Sequence, residues 1–282
     1  MRSPQRTQNI AFFFLFLATL LIIVPVGLII VVIIQKGLPA ITWQFLSDIP
    51  RQGMRQGGIF PAIVGTIYLV LGAIIFALPI GLLAAVYLSE YAKDNFLTRI
   101  IKLAIVNLAG VPSVVYGLFG LALFVVFLKF GASILSGSLT LGIMILPIII
   151  TASREALESV PYSFREVSLS LGASKWQTIR RIVFPNAIPG ILTGAILGLG
   201  RAAGETAPIL FTVAAFYLPQ LPKSIFDQAM ALPYHLYVIS TQVPNVDEKI
   251  RYGTALVLLT FVLFINLVAI IILYRFRKKK KW

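Results

Sequence analysis

Apolar residues run along this chain in blocks too long for the core of a soluble domain. Six blocks reach or approach membrane length: residues 10–34, 61–89, 100–129, 138–153, 188–217 and 252–274. A helix needs about 20 apolar residues to cross the hydrocarbon layer. The pattern therefore predicts an all-α integral membrane protein with about six transmembrane helices. The fourth block is the shortest and holds Pro147. Pro25, Pro79, Pro112 and Pro208 also fall inside blocks, where neighbouring helices can satisfy the carbonyls that proline frees. The first block follows Arg2 and Arg6 but exceeds the ~7–15 apolar residues of a cleaved leader, and no small-x-small site follows it. It reads as a retained membrane helix.

Charge sorts the segments between the blocks. Lys36, Arg51, Arg55, Lys129, Lys223, Lys249 and Arg251 fall on one side; sixteen other Lys and Arg residues fall on the side of both termini. Cytoplasmic flanks carry the excess of basic residues, so both termini are expected in the cytoplasm. The same asymmetry accounts for the net charge of +14, and no nucleic-acid partner is expected. The basic end "RFRKKKK" reads as a topology anchor with some affinity for anionic lipid. Hydrophobic residues make up 59% of the 282, and the mean hydropathy is +0.94. Two outer loops, 35–60 and 218–251, are sizeable. In the second, "DQAMALPYHLYVIS" is expected along the membrane surface with Tyr234, His235 and Tyr237 at headgroup level. Without cysteine or a second histidine, no metal site and no cofactor are expected.

The most ordered polar segment is "REALESVPYSFREVSLSLGASKWQTIRRIVFPNAIPG", Arg154 to Gly190. Ser163 with Glu166 has the spacing of a capping box, and so has Ser174 with Gln177. Gly172 suits a helix end with positive φ, and Pro185 is expected to stop the second helix. The prediction is helix, glycine corner, helix. Phe164, Val167 and Leu171 share a face of the first helix; Ile179, Ile182 and Val183 cluster on the second. These apolar faces pack either on a partner or on the protein's own helix ends.

"GLGRAAGETAP", Gly198 to Pro208, places Arg201 and Glu205 inside the fifth block. An arginine at the middle of a membrane helix costs about 2.5–3.5 kcal/mol on insertion scales, a cost that calls for a reason. On a continuous helix Gly194, Gly198, Arg201 and Glu205 line one stripe. Pro208 would also leave the Gly204 carbonyl unbonded. Either the pair neutralises itself as a structural ion pair, or the stripe offers a planar cationic fork to an oxyanion. "GLGRAA" matches GxGxxA, yet it lies in a membrane-length block without βαβ context, so no dinucleotide site is expected. GxxxxGK[ST] does not occur, and no Ser/His/Asp set or metal cluster marks the blocks. No catalytic residue and no ATPase site are expected.

"EVSLSLGASKWQTIRRIVFP" resembles the EAA loop of ABC importer permeases: Glu166, Gly172, Ile182 and Pro185 fit its spacing. Val167 and Ser168 stand in place of two alanines, and Phe184 in place of leucine. "GGIFPAIVGT", "VPSVVYGLFG" and "LGRAAGETAPILFT" are similar to permeases of phosphate ABC importers, of the PstA type. The likeness runs from about residue 57 to the end. It implies a core permease domain at 57–282, with a coupling loop at about 154–187, preceded at 1–56 by a cytoplasmic tip, a first helix and an outer loop. The implied fold is that of type I ABC importers, multi-pass in the inner membrane. Glu166, Gly172, Ala173, Ile182 and Pro185 would serve ATPase coupling; Arg201, Glu205, Gly198 and Thr206 would line the substrate pathway. The implied partners are a second, homologous PstC-like permease, two copies of an ATP-binding subunit, an external phosphate-binding protein and membrane lipid. Molybdate or sulfate is the alternative substrate. A scaffold or a stand-alone channel would leave a coupling loop idle.

Overall fold

The computed structural model describes residues 4–278; Arg2 and Lys279 to Lys281 of the charge count lie outside them. Within them α1 (Pro4–Gly37), α3 (Phe60–Val86), α6 (Ile134–Glu158) and α12 (Glu248–Lys278) are long apolar helices. α8 (Lys175–Thr178) runs through a π-helical turn, Ile179–Val183, into α9 (Phe184–Gly204). Among the described residues five helices are thus long and apolar enough to cross a membrane, or six if one bent pair counts as a single span.

That pair corrects the third expected block. α4 (Phe96–Ala109) and α5 (Ser113–Gly120, continued by a π-helical segment to Phe127) meet at 102°. The break has a local cause. Pro112 has no N–H for the Leu108 carbonyl, and the residue before a proline avoids the α conformation. The Leu108 carbonyl accepts instead from the Val111 N–H at 3.1 Å and from the Tyr116 hydroxyl at 2.8 Å. Pro147 makes no such break: α6 runs through it and covers 25 residues rather than the 16 of the fourth block.

α6 is the centre of the bundle, with 67% of its most apolar stretch buried; α3 and α9 pack on it, whereas α1 has 0% buried and α12 6%. Small residues set the spacing, as expected where lipid offers no hydrophobic drive and close van der Waals contact must hold helices together. A methyl group added at Gly194 would fall 2.6 Å from Ala152 Cβ on α6. At one end, α2 (Trp43–Ser47), a hairpin of β1 (Pro50–Arg51) with β2 (Gln56–Gly57), and α11 (Leu232–Thr241) cover the bundle. Buried Phe45, Met54 and Ile59 seat this layer, Tyr217 Oη donates to the Pro50 carbonyl at 3.1 Å, and Leu232 N–H donates to Thr66 Oγ1 at 2.8 Å.

α11 differs from the expected surface segment. Leu232, Val238 and Ile239 are fully buried, so the helix is folded into this end layer, and His235 goes in with it at 2% exposure. Burial lowers the His235 pKa to about 4, and its Nδ1 has no partner among the described residues. It is a neutral interior imidazole rather than a side chain exposed at a surface.

Candidate translocation and coupling sites

The fifth block is two helices, not one. α9 ends at Gly204, Glu205 is extended (φ −78°, ψ 135°), and α10 (Ala207–Thr212) starts after Thr206. Glu205 therefore stands at a break, three residues ahead of Pro208, and the helical stripe drawn through it is corrected. Gly194 and Gly198 pack against α6 as well. Gly190 and Gly194 abut Ala156 and Ala152, and a Cβ on Gly198 would meet Ile145 and Ile149 at 3.4–3.5 Å. Gly198 is a buried helix-packing position against α6.

Arg201 and Glu205 still meet, because the turn at Gly204 brings the carboxylate back over the helix end. Nε of Arg201 donates to Glu205 Oε1 at 3.5 Å, with side chains 31% and 19% exposed. That contact is long and single. Among the described residues the two terminal guanidinium nitrogens have no hydrogen-bond partner. The fork that suits an oxyanion is open. Thr206 is half-buried beside it and its hydroxyl does not cap α10.

Two neighbours escaped the sequence reading. Tyr116, on α5, lies within electrostatic reach of Arg201. The next residue, Gly117, lies against Ala207 and Pro208 at the start of α10. Asn266, on α12, is against Gly200: a Cβ there would be 2.9 Å from its Oδ1. Both are polar groups inside apolar blocks, which is the signal that could have found them. α5, which follows the break at Pro112, thus packs on α10, which follows the break at Glu205. Irregular backbone at membrane depth is tolerated where it is buried in protein or lines a cavity.

The loop between α6 and α9 follows the expected helix, corner, helix plan with two corrections. α7 spans Tyr162–Ser170 and starts after Pro161, so Ser163 and Glu166 lie within it and form no capping box. A proline suits a helix start because the N–H it lacks would be unbonded there. Nor does Pro185 stop the second helix. It sits in the first turn of α9, where the π-helical turn at Ile179–Val183 shifts the hydrogen-bond pattern and carries the helix past it. The expected box of Ser174 with Gln177 does form, at 3.3 and 2.8 Å. Gly172 has φ +80°. Its N–H donates to Leu169 and the Ala173 N–H to Ser168, the two bonds of a Schellman corner. Inside the corner the Ser168 and Thr178 hydroxyls bond at 2.9 Å.

The apolar faces divide. Ile179 and Val183 are buried and Ile182 half-buried against the protein, whereas Val167, Leu171 and Trp176 are exposed at 60%, 83% and 57%. Glu166 and Pro185 are exposed too. Sequence reading missed what holds the loop in place. Arg165 donates to Glu90 through Nη2 at 2.7 Å and Nε at 3.4 Å, and to the carbonyls of Val160 and Leu157 at 2.7 and 2.9 Å.

Comparison with known proteins agrees with this geometry. Residues 77–282 match the family model described as binding-protein-dependent transport system inner membrane component. The chain is 37% identical to the phosphate transport system permease protein PstA of Mycobacterium leprae, over 92% of this chain and 86% of that one. It is 35% identical to the probable ABC transporter permease protein YqgI of Bacillus subtilis, over 89% and 90%. A bacterial alginate ABC transporter shares the fold, with a TM-score of 0.66 at 14% identity over 94% and 93% of the two chains. The inward-facing MetNI methionine ABC transporter gives 0.63 at 17% identity, over 76% and 94%. The fold is the type I ABC importer permease fold, multi-pass in the inner membrane. The chain belongs to the family of binding-protein-dependent transport system inner membrane components, and within it to the PstA-type permeases.

Proposed function

We propose that this chain is a transmembrane subunit of an ATP-driven importer of inorganic phosphate and forms half of its translocation pathway. The observation that carries the reading is Arg201: a half-buried guanidinium at a helix break, its fork unbonded, with one long contact to Glu205. Arginine's planar donors match two phosphate oxygens at once. Glu205 balances the charge while the path is empty and can accept the hydroxyl proton that hydrogen phosphate offers and sulfate lacks. The names of the PstA relatives support phosphate over molybdate or sulfate.

The exposed loop face is the natural dock for an ATP-binding subunit, since exposed apolar residues grouped on a capped, rigid corner suit a protein partner. Glu166, Gly172, Ala173, Ile182 and Pro185 belong to this element, Ile182 on its inner side. The chain itself lacks a nucleotide-binding loop, so hydrolysis falls to the partner. Two ATP-binding copies, a second PstC-like permease and an external phosphate-binding protein complete the complex, with both termini of this chain in the cytoplasm. Closing of the ATPase dimer moves the loop, the loop moves the helices, and the path opens to the other side. Uptake of labelled phosphate, molybdate and sulfate by vesicles carrying the whole complex tests the substrate. ATP-dependent phosphate uptake is expected to exceed both others, and preferential uptake of molybdate or sulfate would overturn the assignment.

A further inference from the structure

Arg165 and Arg201 are opposites. Among the described residues Arg201 leaves its terminal nitrogens unbonded. Arg165 uses all three guanidinium nitrogens: a two-point contact with Glu90 at the π-helical end of α3, and bonds to the carbonyls of Leu157 and Val160 where α6 ends. Its side chain is 13% exposed and that of Glu90 7%. One residue of α7 thus ties the loop to two helices, and Ser168 with Thr178 ties α7 to the rod of α8 and α9.

Beside these bonds lies a cavity of about 560 Å³ whose lining includes Arg165, Glu90, Thr178 and Ile179. The apolar cluster of Ala85, Leu157, Val160 and Val183 joins the same elements, but apolar packing is non-directional, so the polar bonds are what fix the orientation. We infer that Arg165 is a positioning residue that welds the cytoplasmic loop to α3 and α6, and that its bridge to Glu90 stays closed while the loop moves. Bidentate geometry restricts both distance and angle, and opening the pair would leave two desolvated charges uncompensated. The loop, the inner end of α3 and the inner end of α6 then turn as one body. This inference rests on reading the loop as the ATPase dock.

The test uses the complete complex and reads three quantities: ATPase copurification, ATP hydrolysis and phosphate uptake. Cysteines are introduced as Glu90→Cys with Arg165→Cys, in a chain that has none of its own. Before bridging, the ATPase should copurify and hydrolyse ATP while phosphate moved per ATP falls about tenfold, the order of effect seen for coupling residues outside ligand sites. Bridging the two thiols with a short bis-thiosulfonate should restore most of the ratio. Arg165→Lys keeps the charge and loses the second point of contact, and should fall in between. If the double-cysteine protein fails to assemble, Glu90→Gln decides by the same ratio. Normal coupling in the unbridged protein would overturn the inference, as would a block of transport after bridging. Failure of the docking reading shows separately, as normal ATPase copurification in a Leu171→Ser, Trp176→Ser control.

Discussion

Gly172 offers a graded perturbation of the proposed coupling loop. Its φ of +80° lies where an L side chain is strained, yet a Cβ built there meets nothing within 4 Å. Substitution therefore costs backbone strain and no clash. Left-handed conformations cost an ordinary residue roughly 1–2 kcal/mol; asparagine is the exception, since its short polar side chain tolerates them. β-branching adds to the strain. The expected order of damage is Gly172→Asn, then Gly172→Ala, then Gly172→Val. A loss of 1–2 kcal/mol shifts the population of the intact corner by about 5- to 30-fold. The corner holds two backbone bonds, from Gly172 and Ala173, and beneath them the hydroxyl pair of Ser168 and Thr178. Its distortion should displace Leu171 and Trp176, the exposed apolar side chains of the dock. The assay is copurification of the ATP-binding subunit and phosphate moved per ATP in membranes with equal amounts of permease. A flat series, or asparagine as the worst substitution, would refute the strain argument. Full coupling with valine would refute the dock.

Three further outcomes are expected. Ser170 is exposed on α7, so Ser170→Cys should react with an impermeant thiol reagent only in opened cells; labelling of intact cells would reverse the topology. Gly194→Ala places a methyl 2.6 Å from Ala152 Cβ and should lower the thermal stability of the solubilised protein by about 1–3 kcal/mol, with Ala152→Gly restoring it; an additive loss would show that the two sites do not share this contact. His235 has a folded pKa of about 4 against an ordinary 6.5, so the unfolded chain takes up the proton first. Stability from this group is fully present above pH 6.5 and is lost as pH falls toward 4, by ~2 kcal/mol at pH 5. His235→Gln should remove that part of the slope, and an unchanged pH profile of thermal stability would contradict the neutral interior imidazole.

The legible parts of the fold were local. Apolar block length marks the crossings. Gly172 is readable because a glycine ends an amphipathic run, and Ser174 with Gln177 because a capping box is a four-residue pattern. Breaks in the crossings were less legible. Pro112 is visible as a proline, yet its effect depends on Tyr116 replacing a lost donor, and hydropathy carries no mark at all of the turn at Glu205. Ser163 with Glu166 misled because the same spacing occurs inside a helix that starts a residue earlier, at Tyr162 after Pro161. Gly198 misled because room beside a charge and room for a neighbouring helix look alike in sequence; α6 decides between them. The tie from Arg165 to Glu90 joins positions 75 residues apart, and no local pattern reaches that far. His235 went inward because Leu232, Val238 and Ile239 carry α11 into the end layer, a tertiary outcome that overrides its amphipathic look.

The central claim is that Arg201 and Glu205 serve the passing ion and are not merely each other's counter-charge. Arg201→Leu combined with Glu205→Leu separates these roles, because it removes both charges together. A purely structural pair replaced by apolar residues of similar size is often neutral or stabilising, so assembly should survive. In the assembled complex, ATP-dependent phosphate uptake at several concentrations is the measurement. The account predicts an intact complex with uptake near background, and only partial recovery in Arg201→Lys, which keeps the charge without the fork. Uptake at the parent rate by the assembled double-leucine protein would contradict it.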